Sequence, residues 1–312
     1  MTMPAARIIF MGTPEFAVPS LARLIDAGHE IVTVVTGPDK PRGRGQKLTP
    51  TPVKELALAH HLPLLQPESV KDPAFADAVR AAAPDIAVVV AFRILPRAVF
   101  AVPKLGTFNL HSSLLPRYRG AAPINWAVIN GDTETGVTTF FLDDRVDTGA
   151  MLLQERIAIG PEEDAGSVHD RLAVLGAEVV ARTVDHILQG DLVPRQQDPG
   201  AATPAPKIFK DHCHIDWTKP ARIVHDLIRG MSPHPGAFAF HDGHVLKIYR
   251  STVGQGRVRG IPGTVLVDDG RLFVMAADHP LEIIDLQQEG RRRMTSAEFL
   301  RGYTFPHSTL LT

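Results

Sequence analysis

The chain has 312 residues but only one cysteine, Cys213, with two tryptophans, three tyrosines and a formal net charge of −1. A lone cysteine excludes an internal disulfide and any cysteine-rich zinc site, so nothing calls for an oxidising compartment. The near-zero charge gives no global attraction to nucleic acid, and such a partner has to be met by local basic patches. No segment approaches the ~20 apolar residues of a membrane span, and the apolar run near the start is too short for a signal peptide. These absences predict a cytoplasmic protein without membrane contact. Nucleotide-binding signatures are also missing. "MGTPEF", after the first strand-like run, lacks the second and third glycines of G-x-G-x-x-G, which disfavours a nicotinamide oxidoreductase, and "PRGRGQK" is not a P-loop.

What is present is 44% hydrophobic residues, enough for one large domain or two ordinary ones. Short β-branched runs, "RIIFM", "EIVTVVT", "DIAVVVA" and "GTFNLH", alternate with helical patterns, which predicts a doubly wound α/β domain with a mostly parallel, Rossmann-like sheet. In the first helix Thr13 is a candidate cap, and Pro19 should kink the helix. Two more strand-like runs and a helical pattern from Ser167 to about Leu188 close this domain near residue 191. The Pro- and Gly-rich stretch 192–206 reads as a linker. From residue 207 an amphipathic helix around Lys219 to Met231 leads into several short strands, which suggests a small β-barrel or sandwich.

Two basic clusters stand out, "DKPRGRGQK" with Lys40, Arg42, Arg44 and Lys47, and Arg291 to Arg293. The adjacent His212, Cys213 and His214 have neither zinc-finger nor H-E-x-x-H spacing, and a structural role at a domain start fits them better. His60 and His61 suit a solvated helix end.

Asn109 and His111 are two residues apart in a strand-like run, so their side chains project from one face, at the strand end where open parallel sheets bind ligands. Downstream, "DDRVDTGAML" places Asp147 in a loop that can return over the same sheet edge. An amide, an imidazole and a carboxylate suit acyl transfer, with charge stabilisation at a carbonyl oxygen and proton handling on the attacking group. The same spacing also fits a hydrogen-bonded strand end followed by a polar turn. Ser112 and Ser113 are not in G-x-S-x-G, so direct attack by an acceptor is favoured over a covalent intermediate.

"MGTPEFAVPSL", "GRGQKLTPTPVK", "FNLHSSLLPRYRGAAPINWAVINGDTETGVT", "DTGAML" and "IDWTKPARIVHDLIRGMSPHPGAF" follow one another along nearly the whole chain. In this order they resemble the signature segments of the methionyl-tRNA formyltransferase family. The resemblance implies a catalytic domain over 1–191, a linker over 192–206 and an OB-like, tRNA-binding domain over 207–312. It implies formyl transfer from 10-formyltetrahydrofolate to the amino group of methionyl initiator tRNA, in a monomer, without a metal. Asn109, His111 and Asp147 match the family's catalytic residues. Ser113, Leu114, Leu115 and Pro116 match the turn bordering the folate site, and Lys40, Arg42, Arg44 and Lys47 match the loop reaching the tRNA acceptor stem.

The chain departs from the common pattern at "AFRILP", where Arg93 replaces a glycine in a segment one residue shorter, and at Arg145 in the acidic loop. His234 stands where tryptophan is frequent. Rival readings on the same fold are an amino-sugar nucleotide N-formyltransferase and a formyltetrahydrofolate hydrolase. From another class comes a non-catalytic RNA-binding protein.

Overall fold

The computed structural model describes residues 5–42, 47–256 and 260–312, and within them the chain forms two compact units. The first takes in the described residues up to Gly120, then Gly136–Ile157 and His169–Pro204; the second takes in Ala121–Thr135, Ala158–Val168 and Ala205–Thr312.

The elements run β1 (Arg7–Gly12), α1 (Val18–Asp26), β2 (Glu30–Val35), β3 (Lys40–Arg42), β4 (Lys47–Thr49), α2 (Pro52–Ala59), β5 (Leu64–Leu65) and α3 (Pro73–Ala81). They continue with β6 (Ile86–Val90), α4 (Arg97–Phe100), β7 (Thr107–His111), β8 (Arg119–Gly120), α5 (Pro123–Ile129), β9 (Glu134–Phe141), β10 (Met151–Ala158), α6 (Ala165–Gln189) and β11 (Pro204–Ala205). The remaining elements are α7 (Ala221–Gly230), β12 (Ala237–His241), β13 (His244–Val253), β14 (Val265–Asp268), β15 (Arg271–Met275), β16 (Pro280–Gln288), β17 (Met294–Thr295) and α8 (Ser296–Leu300).

In the first unit seven strands lie in the order β10-β9-β7-β6-β1-β2-β5. The central strands pair in parallel, and β9 runs antiparallel to β7. Every residue of β6, "IAVVV", is buried, as a strand covered on both faces requires. One core layer gathers Ile9, Met11, Val35, Phe75, Val79 and Val89. Gly176 of α6 lies close to β7, and a Cβ there would come within 2.6 Å of Leu110 Cδ2. The strand that carries Asn109 and His111 is thereby backed by a closely fitted helix.

The sheet order places β1 and β6 side by side, with the chain winding outward from them in both directions, so ligands are expected at the carboxyl ends of these strands and of β7. One local expectation is corrected. Thr13 does not cap the first helix: its Oγ1 accepts from Gly37 N at 3.2 Å, and α1 begins at Val18 after a short 3-10 turn. Pro19 then falls in the first turn, where a missing N–H costs no helical bond, and no kink is needed.

The second unit holds a six-stranded antiparallel sheet, β12-β13-β16-β15-β14 with β17 on β16, around a core that includes Trp217, Ile228, Phe238, Leu272, Ile283 and Phe299. The expected helix is α7, and β12 is a strand the sequence reading passed over. Asp226 and Arg229 of α7 form a buried ion pair at 2.6 Å, and Arg229 Nη1 also donates to Glu163 O at 2.9 Å. Cys213 is buried, His212 Nδ1 accepts from Phe209 N, and His214 stacks on Phe238, which is a structural arrangement. Arg293 pairs with Asp285 and lies over the Tyr249 ring; Arg292 pairs with Glu298.

Candidate active site

The strand β7 ends at His111, whose side chain is 7% exposed. Its Nε2 lies 2.8 Å from the carbonyl oxygen of Tyr118. A carbonyl only accepts, so Nε2 carries the proton and donates, which leaves Nδ1 as the free face of the ring. Asp147 Oδ2 stands 3.9 Å from Nδ1, too far for a hydrogen bond and close enough for a strong field. The sequence reading had the loop return over the sheet edge, and it does.

Asp147 is held from two sides. Its Oδ2 accepts the backbone N–H of Gly120 at 2.9 Å, and its own backbone sits in the left-handed region at φ 56°. Tyr118 is also left-handed, at φ 61°. A non-glycine residue there is disfavoured by roughly 1–2 kcal/mol, and aspartate tolerates it better than tyrosine. Two such residues therefore supply the two fixed contacts of the His111 and Asp147 pair. Gly149 closes the same loop: a Cβ on it would come within 1.7 Å of Phe141 O, so only glycine lets the loop lie against β9.

Asn109, half-buried on β7, has no side-chain hydrogen-bond partner among the described residues. An amide left open beside an imidazole and a carboxylate is available to a ligand.

The turn after β7 is shaped from within. Ser113 and Leu115 are buried, Leu114 and Pro116 half-buried. Ser113 Oγ donates to Arg117 O at 2.6 Å, so its hydroxyl serves the turn. Thr138 of β9, fully buried, joins three strands of chain: its hydroxyl donates to Ser113 O and accepts from Leu115 N and Gln154 Nε2. The sequence reading missed Thr138 and Gln154, because only the strand order brings them to the turn. Arg93, in place of a glycine, turns its guanidinium onto Glu68 O and Pro67 O and lies over the Phe92 ring.

In the basic loop, β3 and β4 form a hairpin in which Arg42 is opposite Lys47 and Lys40 opposite Thr49. Lys40 is exposed, and Arg44 lies outside the described residues. Below the hairpin Asp39 binds Lys54 at 2.6 Å and Gln66 at 2.8 Å, and these two bonds hold its carboxyl below the ordinary carboxylate range. Among the described residues no group of three or more His, Cys, Asp and Glu stands together as a metal site, and no helix is long and apolar enough to cross a membrane.

Two family models match, formyl transferase over residues 6–184 and formyl transferase, C-terminal domain, over 207–304. A methionyl-tRNA formyltransferase of Pelobacter propionicus is 50% identical, covering 99% of this chain and 97% of the relative. The chain belongs to the methionyl-tRNA formyltransferase family. A second member, from Bacteroides thetaiotaomicron, is 47% identical over 95% of both chains.

Among solved structures, HypX from Aquifex aeolicus in complex with tetrahydrofolic acid superposes with a TM-score of 0.67 at 17% identity, covering 98% of this chain. This formyltransferase chain spans about half (51%) of that HypX chain. The sugar 3N-formyl transferase WlaRD matches at TM-score 0.68 and 17% identity, over 93% of this chain and all of its own. Both likenesses concern the fold.

Proposed function

We infer that the chain transfers the formyl group of 10-formyltetrahydrofolate to the α-amino group of methionine on initiator tRNA, for translation initiation. The observation that carries this is the His111 and Asp147 pair, 3.9 Å apart beside an open Asn109 amide, in a chain 50% identical along its length to a methionyl-tRNA formyltransferase.

In this reading the amine nitrogen attacks the formyl carbon and the C=O bond opens to an oxyanion. As the bond forms, the amine's proton passes to the open His111 Nδ1, and Asn109 Nδ2 and the Nδ1–H so formed stabilise that charge. The Asp147 carboxylate, 3.9 Å from Nδ1, orients the ring and balances the charge it takes on in the step. The C–N bond to the folate then breaks, and the proton released by the amine reaches the leaving nitrogen with help from Asp147. No covalent enzyme intermediate is needed. Ser113, Leu114, Leu115 and Pro116 border the folate, their backbone fixed by Thr138.

Lys40, Arg42, Arg44 and Lys47 contact tRNA phosphates, which supply affinity and salt dependence more than sequence reading. We propose further that the antiparallel sheet of the second unit closes into an OB-like barrel that helps to grip the tRNA. What supports this is the C-terminal segment: it bonds Val265 of β14, Gly263 just before that strand, and Phe240 of β12, and β12 and β14 are the two end strands of the sheet. Exposed Lys207 and Lys210 lie over Phe209 and Phe238, beside a cavity of about 560 Å³. Basic groups on aromatic faces suit a nucleic-acid surface. We place the protein in the cytoplasm as a monomer, with 192–206 as the linker between its domains.

The test is transfer of labelled formyl to methionyl initiator tRNA, beside an amino-sugar nucleotide and a no-acceptor control. Product on the tRNA alone is expected. Product on the sugar, or free formate only, would overturn the acceptor assignment.

A further inference from the structure

We propose that Gln197, acting with Arg119 and Thr203, is a positioning device that sets the spacing of the reacting pair, so that the stretch 192–204 is part of the active site. The inference rests on the reading of His111 and Asp147 as the reacting groups and adds what holds them.

Gln197 is buried, and both ends of its amide are committed. Nε2 donates to the carbonyls of Asp147 and Gly149, each at 2.9 Å. Oε1 accepts from Arg119 Nε at 3.0 Å and Nη2 at 2.7 Å. One amide thus ties the Asp147 loop to β8. Arg119 is flanked by the two residues that hold the pair, since Tyr118 O accepts from His111 and Gly120 N donates to Asp147.

Thr203 fixes the other half. Its Oγ1 accepts from Tyr118 N and its carbonyl accepts from Arg119 N, both at 2.8 Å. Tyr118 and Asp147 are both left-handed, so neither contact keeps its place by intrinsic backbone preference. Arg195 reinforces the segment with a backbone bridge to Met151. The 3.9 Å gap between Nδ1 and Oδ2 is therefore set by one segment that touches both sides. A structural brace need not converge on these two carbonyls and on the residue between the two contacts. A device for spacing the pair must.

The experiment uses the full chain with Gln197→Met, which keeps the side-chain volume and removes the polar atoms, and Thr203→Val. Single-turnover formyl transfer to methionyl initiator tRNA should slow by about 10- to 100-fold in each, the range for an ångström-scale misplacement. KM for tRNA and for the folate should stay near wild type. In ¹⁵N-histidine-labelled protein the His111 Nε2–H resonance should be slowly exchanging in wild type and exchange faster in Thr203→Val.

An unchanged rate in either folded variant, or KM rising with no loss of turnover, would overturn the proposal. If Gln197→Met does not fold, Thr203→Val and its resonance decide. The failure of the functional reading is separately visible, because wild type would then put no formyl on the tRNA whatever the resonance does.

Discussion

Two acid–base pairs among the described residues are shielded from solvent, His111 with Asp147 and Asp226 with Arg229, and they are built on opposite plans. In the second unit Asp226 and Arg229 touch at 2.6 Å, Arg222 adds a bond to the other carboxylate oxygen, and Arg229 Nη1 is bound by Glu163 O. In the first unit His111 and Asp147 stop 3.9 Å apart, with His111 bonded to backbone through its far nitrogen Nε2 and Asp147 through the facing Oδ2 itself. A closed pair with its hydrogen-bonding capacity used up can only hold structure. A pair kept open by outside contacts, beside an amide with no partner among the described residues, retains capacity for a ligand.

Breaking the closed pair should have the largest energetic effect. Arg229→Ala leaves a buried carboxylate short of its partner and should cost about 3–5 kcal/mol of stability, read by denaturant unfolding. A loss below about 1 kcal/mol would mean that water repairs the site. Breaking the open pair should spare the fold and remove the chemistry. His111→Ala should lower kcat by about 10²- to 10³-fold, the usual worth of one oxyanion donor, with tRNA binding nearly intact. Substantial residual turnover would remove His111 from the mechanism.

Thr138→Val sharpens the contrast at the turn. Losing the hydroxyl that joins Ser113, Leu115 and Gln154 should raise KM for the formyl donor by about 3- to 10-fold, with tRNA affinity unchanged. An unchanged donor KM would detach the turn from the folate site. The smallest effect is a pH dependence outside both pairs. Burial, aided by Arg23 and opposed by Asp185, lowers the His29 pKa below its ordinary 6.5. As pH falls below that value the unfolded chain takes up the proton first, so stability declines until the folded pKa is passed. His29→Gln should flatten that decline, measured as unfolding free energy against pH.

The open pair was legible in the sequence because its residues sit at a strand end and in a Gly-containing loop, and period and position survive in one dimension. The same holds for β1, β2, β6, β7 and α7, whose apolar spacing matches their burial. Gln197 and Thr203 were not legible: they lie in a stretch rich in Pro and Gly, where absent periodicity reads as a linker. Their role depends on β8 pairing with β11, a contact far apart along the chain. Thr13 illustrates the reverse case, since its local capping signal lost to a tertiary bond with Gly37. Arg44 lies outside the described residues, and its part in tRNA binding rests on the resemblance alone.

The most direct test sets the two pairs against each other in one single-turnover formyl-transfer experiment with methionyl initiator tRNA, at a temperature where His111→Ala and Arg229→Ala are both folded. The account predicts a rate near wild type for Arg229→Ala and a loss of at least about 100-fold for His111→Ala. Equal losses in the two variants, or a near-normal rate without His111, would contradict it.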